Sequence, residues 1–390
     1  MTELDDHAGL SINDLPLGED RTLGWRTLRE AGDVVNSGNE YLLTSAEACE
    51  FAAKRPEVFS SAAAFGILGS PVQLVPIAVD PPDHSRFRRV LDPFFGPKKM
   101  SERESELRKQ VGELVDAIKR RGECDFMTDL AIPFPSQVFL TLFGLPLKDR
   151  DKLVQWKDAV IGLADVENLT QTPEGLAQAL ELHTYLTEHI AQRGVDTGND
   201  DLLSELISLP ERDRLTDSEM LGLCFLFVLA GLDTVTSALS FAFGHLASDA
   251  ELRRRIVDDY TVIPNFIEEQ LRVEVPVPFV PRVATEDIEV AGMHVPKDSN
   301  VLLVYGCANR DPRRYQNSDT MNLDKPRPHF TFGRGPHRCL GSHLARMELR
   351  IVLEEWHNRI PEYRIADGAH PTPPWPHGTL GLDSLPLIVG

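Results

Sequence analysis

Apolar residues recur at three- and four-residue spacing along most of the chain. Between Met100 and Arg121, Leu107, Val111, Leu114, Val115 and Ile118 share one face, and the same period runs through Leu176–Arg193 and Ala250–Asp259, which predicts amphipathic helices. Alternating patterns are few and short. Thr285–Val295 alternates with Ala291-Gly292 near its middle, predicting a small hairpin, and Val301–Tyr305 predicts another strand. One segment is apolar on every face. Thr216 and Glu219 have the spacing of a capping box, with Leu215 and Met220 placed as a hydrophobic staple. The run LGLCFLFVLAGLDTVTSALSFAFGHLA then follows, the pattern of a helix through a protein centre. The expected fold is mostly α with a minor β region. It is expected to form a single domain over 1–390, with a large helical lobe and a small β-containing lobe, and with residues 1–20 as the stretch open to disorder.

Composition narrows the function classes. Hydrophobic residues at 42% and charged residues at 26% suit a packed globular chain rather than a disordered one. With 40 Lys+Arg against 60 Asp+Glu the net charge is −20, which disfavours nucleic acid as a partner. Cys49, Cys124, Cys224, Cys307 and Cys339 are far apart and include no CxxC pair, so neither a disulfide framework nor a structural zinc site is expected. The acidic start MTELDDHAGL lacks the pattern of a signal peptide. Of two uncharged stretches, Ser60–Val79 is interrupted by Gly66, Gly69, Pro71 and Pro76, and Met220–Leu232 is cut short by Asp233. A cytoplasmic protein with no membrane anchor is therefore expected.

The densest candidate chemistry lies in Phe330–Gly341, FTFGRGPHRCLG. Cys339 precedes a helical pattern in which Leu340, Leu344, Met347 and Ile351 fall on one face, a position that favours a thiolate. Arg334, His337 and Arg338 add positive charge. A dinucleotide fingerprint would need glycine where Arg338 stands, and a zinc set of Cys339, His337 and His343 lacks a clustered fourth ligand. Asp233 is costly in so apolar a helix and asks for a partner or a role. Thr234 could simply bond back to the carbonyl four residues earlier, which would leave Asp233 unexplained.

FTFGRGPHRCLG resembles the heme-binding signature of the cytochrome P450 superfamily, F-x-x-G-x-x-x-C-x-G, with Phe332, Gly335, Cys339 and Gly341 in place. Three further segments are similar to the family's. Ala230-Gly231-Leu232-Asp233-Thr234 resembles its oxygen-activation motif, Glu269-x-x-Arg272 its E-x-x-R pair, and Asp80–Arg88 its D-P-P-x-H-x-x-x-R segment. The resemblance implies a P450-like fold with a long central helix over heme b, whose iron takes Cys339 as axial thiolate. Phe332, Gly333 and Gly341 would border the cofactor, and His84, Arg88, Arg282 and His337 would bind its propionates. Asp233 and Thr234 would deliver protons. Glu269 and Arg272 would form a structural network completed by Arg327, with Arg310 as the runner-up.

The implied activity is a monooxygenase inserting one atom of O2 into a C–H bond of a small apolar substrate. Its electrons would come from a separate iron-sulfur ferredoxin with an NAD(P)H-dependent reductase, docking near Arg334, Arg338, Arg346, Lys98 and Lys99. The family's substrate-recognition regions place Phe65, Leu68, Val72, Leu74, Leu226, Leu229, Ala230, Val277, Phe279, Val280, Thr379 and Leu380 around the pocket. Glu355-Trp356 and Arg359-Ile360-Pro361 also resemble the camphor-hydroxylating branch. The alternatives are a heme-thiolate peroxygenase or isomerase, or a heme-binding sensor without turnover.

Overall fold

The computed structural model describes residues 10–38, 40–62, 64–65, 70–162, 164–165, 170–195 and 200–390. The predicted helical patterns are present as Pro97–Ser101 followed by Glu104–Arg121, as Pro173–Val195 and as Ala250–Asp258. The break after Ser101 divides what the apolar period reads as one helix. Within the N-terminal stretch, Ile12, Leu15 and Leu17 are buried in the core.

The central helix runs Asp217–Ser248. Its capping box is formed: the Glu219 N–H donates to Thr216 Oγ1 at 3.2 Å, and the Thr216 N–H donates to Glu219 Oε2 at 2.8 Å. Leu215 and Met220 are both buried in the cluster that holds the helix's first half. The helix is long and apolar enough to cross a bilayer, but most of it is buried inside the fold. Its apolar faces are spent on two cores. Met220–Leu232 packs with Leu74, Phe87, Phe139 and Phe143, whereas Val235–Ala247 packs with Phe126, Phe266, Leu353 and Trp356. Asp233 and Thr234 fall at the junction between them.

A third core underlies the small β region. Its five-stranded sheet has the order Val34–Asn36, Glu40–Leu43, Asn300–Leu303, Val280–Ala284, Phe59–Ser60, with one parallel pair between Glu40–Leu43 and Asn300–Leu303. The predicted hairpin is present as Ile288–Val290 paired with Met293–Val295. Ala291 and Gly292 turn it with φ of 49° and 83°, the two positive values a tight two-residue hairpin turn requires. The strand expected over Val301–Tyr305 is Asn300–Leu303, and Tyr305 instead opens the short helix Tyr305–Ala308.

Candidate active site

The cysteine loop is shaped by its own backbone. The Gly333 N–H donates to Phe330 O at 2.6 Å, and the Cys339 N–H donates to Phe332 O at 2.7 Å, closing a tight turn before the helix Ser342–Arg359. Gly335, at φ 67°, lies so close to Ala53 that an added Cβ would stand 2.0 Å from its carbonyl oxygen, so no side chain fits there. Leu340 packs against the core holding the first half of the central helix, and Phe332 against the core holding the second half. The loop therefore sits at the level of the Asp233–Thr234 junction.

Four of the five cysteines are buried, and Cys339 alone is accessible. Desolvation by the surrounding loop raises the thiol, and the Gly341 N–H with Arg88, Arg338 and Arg346 works against this.

The expected propionate partners converge. His84, on the helix Asp83–Leu91, and His337 lie ring to ring with centroids 4.3 Å apart, and the Nε2 of each is buried without a hydrogen-bond partner. His337 is pulled down to about 3 by burial and then by Arg282, His84 and Arg88, and His84 is lowered by burial and Arg88. Arg282 is 5% exposed, donates to Pro281 O and makes no ion pair among the described residues. Asp80, 3.9 Å from His337, already accepts from Ser60 and Ser61. Two unpartnered imidazole nitrogens beside a buried guanidinium with no ion pair among the described residues suit an anion, and two carboxylates beside the accessible thiol meet that need. The residues fit heme. The Arg88 guanidinium donates to Asp92 and to the Arg338 carbonyl, which ties its helix to the cysteine loop.

On the central helix, Ala230 is exposed and Gly231, Asp233 and Thr234 are half-buried, interrupting an otherwise buried helix. Thr234 Oγ1 donates to Ala230 O at 2.9 Å, the backbone bond that the sequence reading had set against a catalytic role. Asp233 has a partner that reading missed. Lys157 Nζ donates to its Oδ1 at 2.8 Å, from the helix Arg150–Gly162. Burial alone would raise the Asp233 carboxyl, but Lys157, then Thr379 and His377, hold it below its ordinary value. A signal was present: Lys157 stands among Leu153, Trp156 and Val160, the apolar face of its helix.

Glu269 and Arg272 pair at 3.1 Å with both side chains fully buried. Arg327 donates to Glu269 through its backbone N–H and guanidinium, while Arg310 is engaged by Val273 O, Thr22 and Asp319. Among the pocket candidates, Leu74, Leu226, Leu229 and Leu380 are buried, and Phe65, Val72, Val277, Phe279, Val280 and Thr379 are half-buried. Leu68 lies outside the described residues. Of the docking cations, Arg346 is paired with Glu268 and Lys99 with Glu205. Two nitrogens of the half-buried Arg334 are buried without partners. Glu348, which follows Cys339 on the next helix, is buried with an unpartnered Oε2 and pushed well above the carboxylate range by burial.

The chain resembles proteins already characterised by sequence. The family described as Cytochrome P450 matches residues 256–356. "Probable cytochrome P450 127A1" of Sinorhizobium fredii is 34% identical over 317 residues, 80% of this chain and 73% of that protein. The himastatin post-tailoring hydroxylase HmtN superposes with a TM-score of 0.79 at 31% identity, over 90% of this chain and 91% of that one. P450BioI, solved with an acyl carrier protein carrying hexadec-9Z-enoic acid, gives 0.85 at 27% identity over 94% and 97%.

Proposed function

The chain belongs to the cytochrome P450 family and is a heme-thiolate monooxygenase, and we propose that it hydroxylates a small, largely apolar substrate with electrons from a separate ferredoxin and its NAD(P)H-dependent reductase. The accessible Cys339 beside the unpaired donors of His84 and His337 carries this reading. Cys339 would hold the iron, and His84, His337 and Arg282 would hold the propionates. When bound, the heme supplies reductive activation of O2. The chain's own residues orient and protonate: Asp233 holds a proton-accepting carboxylate at the junction of the two cores, and the Thr234 hydroxyl stands beside it. The half-buried apolar residues Phe65, Val72 and Phe279 would exclude water and hold the substrate by burial. A cytoplasmic location, and one domain over the whole chain, belong to the same proposal.

The test is the reduced, carbonyl-bound spectrum together with turnover. A thiolate-shifted Soret band, and product that needs ferredoxin with NAD(P)H, are expected. Product with peroxide alone would favour a peroxygenase, and no product across a broad apolar library would favour a sensor.

The Lys157–Asp233 pair gives a second expected result. Both side chains are nearly buried, at 10% and 14% exposure. Lys157→Met leaves a carboxylate without its counter-charge and should destabilise the fold by about 3 kcal/mol at neutral pH. In the parent, Asp233 lies below its ordinary value, so the pair's contribution is complete above that value and is lost only as pH falls through the lower one. In the variant, burial pushes the carboxyl up, so protonation relieves the penalty sooner. The gap in Tm between parent and variant should therefore narrow from pH 7.5 to pH 5. A constant gap would show that the lost interaction is packing alone.

A further inference from the structure

Residues 70–80 meet the central helix at a glycine. A Cβ added to Gly222 would stand 2.0 Å from the carbonyl oxygen of Gln73 and 3.6 Å from Val72 Cγ2, so backbone lies against backbone where any side chain would intrude. The stretch is stiff in its own right. The Ser70 hydroxyl donates to Val72 O at 2.7 Å, Gln73 Nε2 to Ala78 O at 2.8 Å, and the Ala78 N–H to Leu74 O at 2.8 Å. Its far end is held by Asp80, which accepts from the Ser60 hydroxyl and, at 2.8 Å, from the Ser61 N–H. Leu74, Val75, Ala78 and Val79 are buried in the core that holds the first half of the central helix, whereas Val72 is only half-buried.

Gly222 lies on the face of the helix that leads to the site. Leu226, Leu229 and Asp233 follow it at intervals of four, three and four residues and so share that face, and the exposed Ala230 borders it about 12 Å further along the axis. Seating Gln73 on Gly222 thus places Val72 at a fixed distance from Ala230, with Leu226 and Leu229 between them. The helix has no room to yield at this contact. Its Leu223, Cys224 and Phe225 are at most 2% exposed, whereas Pro71 and Gln73 are exposed. A side chain at position 222 would therefore push the stretch outward, by about 1 Å or more.

We propose that Gly222 sets the reach of the substrate pocket: by letting the Gln73 backbone rest directly on the central helix, it fixes Val72 as the pocket's end wall. Gly222 is then a positioning residue that determines specificity. The proposal deepens the monooxygenase reading and rests on it. A wall braced internally and held at both ends does not fold around a ligand, so the site selects apolar ligands by length.

A series of 1-alkylimidazoles, from methyl to dodecyl, tests this on the holoenzyme. The free ring nitrogen binds heme iron and shifts the Soret band, and the alkyl chain probes the cavity. In the parent, affinity should rise about fourfold with each methylene until the chain meets the wall, and then stop rising. Gly222→Ala should move that break one or two carbons longer. Val72→Ala should do the same, because it keeps the Gly222 seat and shortens the wall's side chain. Methylimidazole, too short to reach the wall, should bind all three proteins alike. An unmoved break in either variant would overturn the proposal, and a loss of affinity equal at every length would mark Gly222 as purely structural. If Gly222→Ala holds no heme, the break in Val72→Ala decides. A parent with a thiolate-shifted carbonyl band and an unmoved break loses only this proposal. A parent without that band loses the monooxygenase reading as well.

Discussion

Cys339→Ser is expected to abolish the thiolate-shifted carbonyl band and all ferredoxin-driven product while leaving the apoprotein folded. The loop around this residue is set by backbone bonds, Gly333 to Phe330 and Cys339 to Phe332, and by the Gly335 contact with Ala53, none of which uses the sulfur. Serine occupies slightly less volume, so the melting temperature of the apoprotein should stay within a few degrees of the parent. The ligand chemistry changes completely. An alcohol ionises far less readily than a thiol, and oxygen is a harder, less electron-releasing donor than sulfur, so the push that favours O–O cleavage is lost. His84, His337 and Arg282 remain, and they should still bring some heme into the variant. A variant that retains the thiolate-type spectrum would show that another atom holds the iron.

This separation of loop from ligand also explains which parts of the site were legible in the sequence. The cysteine loop, the central helix and its capping box are encoded within a dozen neighbouring residues, by glycines at positive φ, by a Thr-x-x-Glu spacing and by an unbroken apolar run. Local rules read them directly. Arg327 rather than Arg310 pairs with Glu269, the choice the family resemblance favoured. The partner of Asp233 was hidden for a different reason. Lys157 lies 76 residues away, and only the packing of the helix Arg150–Gly162 onto the central helix brings the two together. Lys157 left a trace, a cation in an apolar stripe. Sequence order alone also does not show that, among the expected docking cations, Arg346 is paired with Glu268 and Lys99 with Glu205.

Glu269→Ala is expected to yield little folded holoprotein. Glu269 accepts from Arg272, from the guanidinium and backbone of Arg327, and from the Asn322 N–H. Arg272 in turn donates to the carbonyls of Asn309, Ser318 and Thr320. One carboxylate thus ties the helix Ile263–Val273 to the irregular stretch that leads into the cysteine loop at Phe330. Removing it strands the fully buried Arg272 guanidinium without a counter-charge, at a cost of about 3 to 5 kcal/mol, against a total stability of about 5 to 15 kcal/mol for a typical protein. Burial would raise the Glu269 carboxyl, but Arg327 and Arg272 hold it below its ordinary 4.5. The network's contribution is therefore present above that value and is lost as pH falls through the depressed one. Glu269→Gln separates charge from shape, because it keeps an acceptor for Arg272 but leaves the cation uncompensated. It should fall between parent and alanine in heme-to-protein ratio and in Tm. If Glu269→Ala instead purifies with a full complement of heme and a Tm within a degree or two of the parent, the stretch from Asn309 to Arg327 is held by its carbonyl bonds to Arg272 alone.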